Sequence, residues 1–371
     1  MPSQVTNYKC PACGGPLQFD SKEQKLKCDY CNSFYTTEDI EKLFKEKNEE
    51  AVSVSESDDG TLTQEEASYA GITFNSEEAS HLKAYSCPSC GAQLICDENT
   101  AATRCPYCDN PTIVPAQFEG TLKPDYVIPF KKSKEDAINA LNKFYNGKPF
   151  LPKEFINQNH IDEVKGIYVP FFLYDGNVDV DAVYHATQVN VFRHGDDEIT
   201  ETKHYNLIRK GRVNFERVPA DASSKMKDDF MDAIEPFNYS DIVPFQLSYL
   251  PGYLADKYDV TSQENRHRVD LRMKNSTVDQ VRRTTIGYST ATPMKEQLTL
   301  HPGKCSYAFL PVWILTTNWN GQIYQFAMNG QTGKIIGDNL PIDMKKAIFT
   351  FLGLTALFAL LIFLFLASGG R

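Results

Sequence analysis

The sequence predicts a multidomain, β-rich α+β chain. Three observations predict it. Four cysteines near the start, Cys10, Cys13, Cys28 and Cys31, recur with identical spacing as Cys87, Cys90, Cys105 and Cys108. The long middle region carries aromatic and β-branched runs separated by turn pairs, a strand-and-turn pattern. An uncharged apolar stretch closes the chain. With 371 residues, of which 42% are hydrophobic, there is material for roughly two or three domains with real cores.

Each cysteine frame reads C-x2-C, a spacer, C-x2-C. Two cysteines separated by two residues wrap one tight turn around a metal. The glycine after the second cysteine, Gly14 or Gly91, allows the left-handed backbone such a turn needs. Between the paired cysteines, "PLQFDSKEQKLK" reads as strand, polar turn, strand. Four thiolates closing a tetrahedron suit structural Zn2+, two sites in all, and leave no coordination position for a substrate. Iron held as in rubredoxin is the rival occupant, since it also accepts four thiolates. A redox pair fits less well, because the frames come in pairs and no βαβ pattern surrounds them. The frames lie 77 residues apart, with Pro11 matching Pro88 and Leu17 matching Leu94, so they are an internal duplication. Cys96 falls at the position of Phe19 and reads as a small buried hydrophobe, as does Cys305.

The frames set the expected domains: zinc ribbon 1 over 1–45, an acidic linker over 46–80, zinc ribbon 2 over 81–119, a β-rich α+β domain over 120–343 and an anchor over 344–371. Between Glu46 and Glu78 stand ten acidic residues and one lysine, nearly the whole of the chain's net charge of −10. That composition predicts a solvated tether in which "ASYAGITF" alone is apolar enough to order. Segment 1–119 carries nine basic and twenty acidic residues, which argues against nucleic acid as its partner.

In the middle region, "SKEDAINALNKFYNG" predicts a helix capped by Ser133 and stopped by Gly147 and Pro149. Ala137, Ile138, Leu141, Phe144 and Tyr145 share one face. "GIYVPFFLYDGNVDVDAVYHATQVNVFR" reads as strands with a turn at Asp175-Gly176. "YAFLPVWILTTNWNGQIYQFAMNGQTGKIIG" reads as a meander turning at Asn320-Gly321 and Asn329-Gly330. Val169-Pro170-Phe171-Phe172 resembles Leu310-Pro311-Val312-Trp313, a repeated β unit, and each proline suits an edge or first position. A helix is expected to end before Pro236. Another opens on the capping box Thr261 and Glu264 and carries Arg266, Arg268, Arg272, Lys274, Arg282 and Arg283. That basic helix suits anionic lipid, the acidic linker or nucleic acid, or else plain solvent. No P-loop, GxSxG or HExxH motif occurs. His185, His194 and His204 are dispersed, and Asp179 and Asp181 alone are weak signs of acid–base chemistry. The expectation is a protein that is not an enzyme.

From Ala347 to Ala367 no residue is charged. At 1.5 Å per residue this predicts a transmembrane helix of roughly 31 Å, a single-pass tail anchor. Lys345 and Lys346 precede it, and no apolar segment stands near the N-terminus. By the positive-inside rule the N-terminal bulk faces the cytoplasm at the cell membrane, without a signal peptide.

The two CPxC ribbons, "VPFFLYD", "EPFNYSDIVPFQLSYLPGYLADKYDV", "LPVWILT", "FAMNGQTGKIIGD" and the terminal apolar helix together resemble the YdjG-like bacterial membrane proteins, with two N-terminal TFIIB-type zinc ribbons. The resemblance covers nearly the whole chain. It implies a scaffold or adaptor role in a bacterial envelope-stress complex. The partners it implies are SPFH-domain and PspA-like membrane-stress proteins and a related zinc-ribbon membrane protein. The alternatives are a membrane-tethered nucleic-acid-binding protein, or an enzyme with an unrecognised site in the middle domain.

Overall fold

The computed structural model describes residues 10–12, 17–28, 31–37, 39–40, 42, 72–74, 79, 82–97, 104–110, 114–116, 122–158 and 163–368. Cys13 and most of the acidic linker lie outside them. The protein is a β-rich α+β fold with two cysteine clusters and one apolar C-terminal helix.

Around the first cluster, β1 (Leu17–Asp20), β2 (Lys25–Cys28) and β3 (Phe34–Tyr35) form a small antiparallel sheet. In the linker, β4 (Ile72–Thr73) orders within "ASYAGITF". The second cluster is carried by β5 (Leu82–Ser86), β6 (Gln93–Asp97) and β7 (Val114–Ala116). Next come β8 (Leu122–Lys123), paired to β4, and β9 (Tyr126–Val127). Helix α1 (Lys134–Tyr145) begins at the Ser133 cap, where Ser133 and Asp136 bond reciprocally, and buries Ala137, Leu141 and Tyr145. After α2 (Lys153–Gln158), the chain enters two very long strands, β10 (Lys165–His194) and β11 (Asp197–Asp221). Then follow α3 (Asp228–Ala233), β12 (Val243–Pro244), β13 (Leu254–Asp256), α4 (Ser262–Arg283), β14 (Thr290–Trp319), β15 (Gln322–Asn329), β16 (Ile335–Gly337) and α5 (Met344–Ser368).

Strands β10 and β14 are the antiparallel centre of the main sheet. The resemblance between Val169–Phe172 and Leu310–Trp313 reflects a larger duplication. Val169 pairs directly with Leu310, so the two motifs face each other across a local two-fold axis. One unit runs β9–α1–β10–β11 and the other β13–α4–β14–β15. Each unit's opening strand is exchanged: β9 pairs in parallel with β14, and β13 with β10. The prolines are therefore not at an edge. Along β10 the outer partner changes from β13 at Tyr168 to β11 at Phe171, and along β14 from β9 at Phe309 to β15 at Val312. Pro170 and Pro311 occupy those gaps, where a missing N–H breaks no ladder.

Asp175-Gly176 is not a turn. Strand β10 continues through it, and the bulges lie on its neighbours, where the steps from Phe215 to Val218 on β11 and from Pro302 to Cys305 on β14 are each one residue longer than that from Tyr174 to Gly176. Asp175 Oδ1 accepts the Arg217 N–H at 2.9 Å, which holds the bulge. The turn at Asn320-Gly321 forms as expected, both residues at positive φ. A second turn links Asn329 to Lys334.

Residues 166–174 are buried on both faces of β10, as a doubly covered strand requires. One face packs on Leu17, Phe19 and Leu26 of the first ribbon and on α1. The other packs on Cys87, Leu94, Cys96, Cys105 and Tyr107 of the second cluster and on Phe230 and Met231. Beyond the bulge, β10, β11 and β14 continue as a three-stranded arm. Met273 and Val281 of α4 cover one face of it.

The first half of the basic face of α4 is neutralised within the fold. Arg268 bonds Asp221 at 2.8 Å and Asp232 at 2.6 Å, and Arg272 bonds Glu235 at 2.7 Å. Asp221 has a side chain only 2% exposed, so Arg268 is its counter-charge. Arg268→Ala is expected to destabilise the protein by about 3 kcal/mol, because it strands a buried carboxylate. Thermal unfolding in detergent measures this. On the opposite face of the arm, Asp179 bonds Arg212 and His301, and Asp181 bonds Lys210 and Lys295. These carboxylates serve cross-strand ion pairs.

Candidate metal centres

In the second cluster, Cys87 lies at the end of β5, Cys90 on the following turn, and Cys105 and Cys108 on the facing knuckle. Gly91 adopts φ +73°, the left-handed turn that its place after Cys90 requires. All four Sγ atoms lie within 4.8 Å of one another. Cys87 and Cys108 are 3.6 Å apart, as are Cys90 and Cys105. Disulfides, at about 2.05 Å, are excluded. A tetrahedron with metal–sulfur bonds of about 2.3 Å has edges of roughly 3.8 Å, so the donor set fits one metal ion closed on all sides.

Burial opposes ionisation of Cys87, but N–H donors from Cys90 and Ser89 and the neighbouring thiols outweigh it and bring the thiol down to about 7. Burial pushes Cys90 up to about 11 and Cys105 up as well. A cation at the centre supplies the charge that lets such thiols ionise together.

The first cluster brings together Cys10, Cys28 and Cys31, with Cys10 and Cys31 at 3.5 Å. Cys13, the fourth expected ligand, falls outside the described residues. Both clusters could hold a metal ion. Cys96 is fully buried on β6, as expected. Cys305 is half-buried beside Tyr174, its thiol raised to about 11, chiefly by burial.

Sequence reasoning did not reveal how tightly the second cluster is built into the main sheet. Its β6 pairs with β13 through Ala255 and Ile95. Thr316 Oγ1 donates to the Pro106 carbonyl at 2.5 Å, and Gln325 Nε2 to the Tyr107 carbonyl at 2.7 Å. Tyr107, between the last two cysteines, donates its hydroxyl to Asp256 Oδ2 at 2.7 Å, and Ser223 Oγ donates to the same oxygen at 2.5 Å. Asp256 Oδ1 is buried with no hydrogen-bond partner. The first ribbon forms a sheet of its own among the described strands and packs on the main sheet through Leu17, Phe19 and Leu26, with Phe19 N–H donating to the Pro251 carbonyl, Gln24 Nε2 to the Phe130 carbonyl and an edge contact of Phe19 on Tyr249. Between this ribbon and the sheet lies a cleft of about 560 Å³ lined by Lys22, Lys134, Lys165, Tyr253 and Trp313.

Full burial raises Asp256 to about 7, against the two hydroxyl donors that favour its ionised form. A carboxyl raised on folding adds stability that is complete below its unfolded value, near 4, and is lost as the pH rises through about 7. The native protein is therefore expected to melt at lower temperature as pH rises from 5 to 8. Asp256→Asn is expected to flatten most of that slope, leaving the smaller contribution of Asp221, raised to about 6 by burial. Melting curves across that range, with and without the substitution, measure the difference.

No family model and no solved structure matches the chain. The protein YdjG of Bacillus subtilis (strain 168), itself described as uncharacterized, is 32% identical over 350 residues, covering 94% of each chain. The chain belongs to the YdjG family. The match extends far beyond the cysteine frames. Helix α5 in this YdjG-family chain is long and apolar enough to cross a membrane, and its core from Met344 to Phe363 buries nothing against the rest of the protein. Asp343 caps it, accepting the Lys346 N–H at 3.1 Å.

Proposed function

We propose that the protein is a non-enzymatic, membrane-anchored zinc-ribbon scaffold on the cytoplasmic face of the cell membrane. The observation that carries this reading is the closed four-thiol geometry of Cys87, Cys90, Cys105 and Cys108, knitted into the main sheet. Soft thiolates in a tetrahedron suit Zn2+, and a filled shell stabilises structure without binding substrate. Cys10, Cys28 and Cys31, with Cys13, would form the matching first site. Helix α5 is the membrane anchor, and Lys345 and Lys346 hold the folded bulk on the cytoplasmic side. The excess of acids around the ribbons supports protein partners over nucleic acid. SPFH-domain and PspA-like membrane-stress proteins and a related zinc-ribbon membrane protein are the partners this reading expects.

The first ribbon, whose described strands form a sheet of their own, is the expected recruiting surface. Affinity purification of the detergent-solubilised chain, with mass spectrometry of what accompanies it, tests this. The reading expects a reproducible set of membrane-stress proteins that is lost with Cys28→Ser while the rest of the fold survives. The same set captured by both forms contradicts recruitment through that ribbon. Salt-sensitive retention of nucleic acid by the native chain favours the alternative.

A further inference from the structure

Among the described residues the three-stranded arm has two free edges, and they are built differently. The β14 edge carries Pro293 and Pro302 and a bulge opposite Val183 and Tyr184. Prolines and bulges of this kind prevent another strand from pairing. The β11 edge carries neither from Asp197 to Val213. Its register with β10 is unbroken from Gly176↔Phe215 to His194↔Asp197, and among the described residues no further strand pairs with it.

The direction of its backbone groups follows from its neighbour. Ser289 N–H donates to the Thr187 carbonyl, and Val189 N–H donates to Ser289 Oγ, so these β10 groups point away from β11. Their opposite numbers, His204 and Thr202, accordingly turn their own N–H and C=O to the free edge. The other even-numbered residues from Glu198 to Arg212 do the same.

The charges along this edge are divided. Asp197, Glu198 and Glu201 stand in its first half against one lysine, Lys203. Arg209, Lys210 and Arg212 stand in the second with no acid. We propose that this edge pairs antiparallel with the same edge of a second copy, about a two-fold axis at Tyr205. That register sets outward-facing residues opposite one another, as hydrogen bonding demands, and places Glu198 opposite Arg212 and Glu201 opposite Arg209. Cross-strand pairs of opposite charge favour this register, and a parallel alignment would oppose like charges. Within one copy Arg212 bonds Asp179 of β10, Arg209 bonds Thr284 and Glu201 pairs with Lys203, so the cross-edge pairs would share these groups rather than find them free.

Light scattering of the full-length chain in detergent, read as protein mass, tests the proposal. The native chain is expected to show the mass of two copies. Thr202→Pro removes one outward N–H without touching the β10 ladder and is expected to give single chains, with circular dichroism reporting whether the fold is kept. Should that variant unfold, Glu198→Lys with Glu201→Lys decides, because it opposes like charges and is expected to weaken the dimer about tenfold or more. A native mass of one copy overturns the proposal, whether the edge then stays bare or accepts a strand from another protein. A dimer equally resistant to both variants also overturns it, by placing the contact elsewhere, such as on α5.

Discussion

Cys105→Ser is expected to halve the bound metal, from about two ions per chain to about one, and to unfold much of the main sheet. Cys105 is buried in the core that also holds Ile167, Val169, Phe171 and Leu310. Its knuckle receives hydrogen bonds from Thr316 and Gln325 of the main sheet and sends one to Asp256. Without the metal, nothing fixes the Pro106–Tyr107 turn against these groups, and Asp256 loses a donor while remaining buried. Small zinc-dependent folds draw on the order of 10 kcal/mol from the ion. A loss of even half that is comparable to the whole stability of a domain. Cys28→Ser should also release one ion but leave more of the main sheet folded, because the first ribbon packs on one face of it through Leu17, Phe19 and Leu26 and none of its described strands pairs into that sheet. Metal content together with near-ultraviolet circular dichroism of the two variants separates these outcomes. Equal damage from both would show that the clusters are structurally equivalent.

Deleting 344–371 is expected to move the protein almost wholly from the membrane to the soluble fraction. The uncharged stretch from Ala347 to Ala367 transfers tens of apolar groups into the bilayer, each methylene contributing roughly 0.8 kcal/mol, and no lipid modification or second helix needs to be invoked. Among the described residues no other helix meets the length and apolarity of a span. Fractionation of cells carrying the truncated chain, with a carbonate wash of the membranes, provides the measurement. Unchanged sedimentation with membranes contradicts the anchor.

The features that the sequence declared were those whose chemistry is local. A C-x2-C turn, the Ser133 and Thr261 caps, the Asn320-Gly321 hairpin and the uncharged C-terminal stretch each depend on a few neighbouring residues. The features it concealed depend on partners far along the chain. Asp175-Gly176 carries the residue types of a turn, yet β10 runs on through it, paired on both sides with β11 and β14, and the bulges fall on those neighbours. Pro170 and Pro311 signalled an edge, but the edge is a change of partner inside the sheet, created by exchanged strands. Arg268 and Arg272 of α4 looked available for an anionic partner until the chain brought Asp221, Asp232 and Glu235 to them. The duplicated cysteine frames look equal in sequence, yet Tyr107, Thr316 and Asp256 join the second one to the core. Only contacts spanning more than a hundred residues reveal that difference.

Elemental analysis of the full-length chain extracted from membranes, without added metal or chelator, tests the central claim most directly. Two closed thiolate sites predict about two zinc ions per chain and no iron. A red, iron-containing sample, or a folded protein with no bound metal, would contradict it.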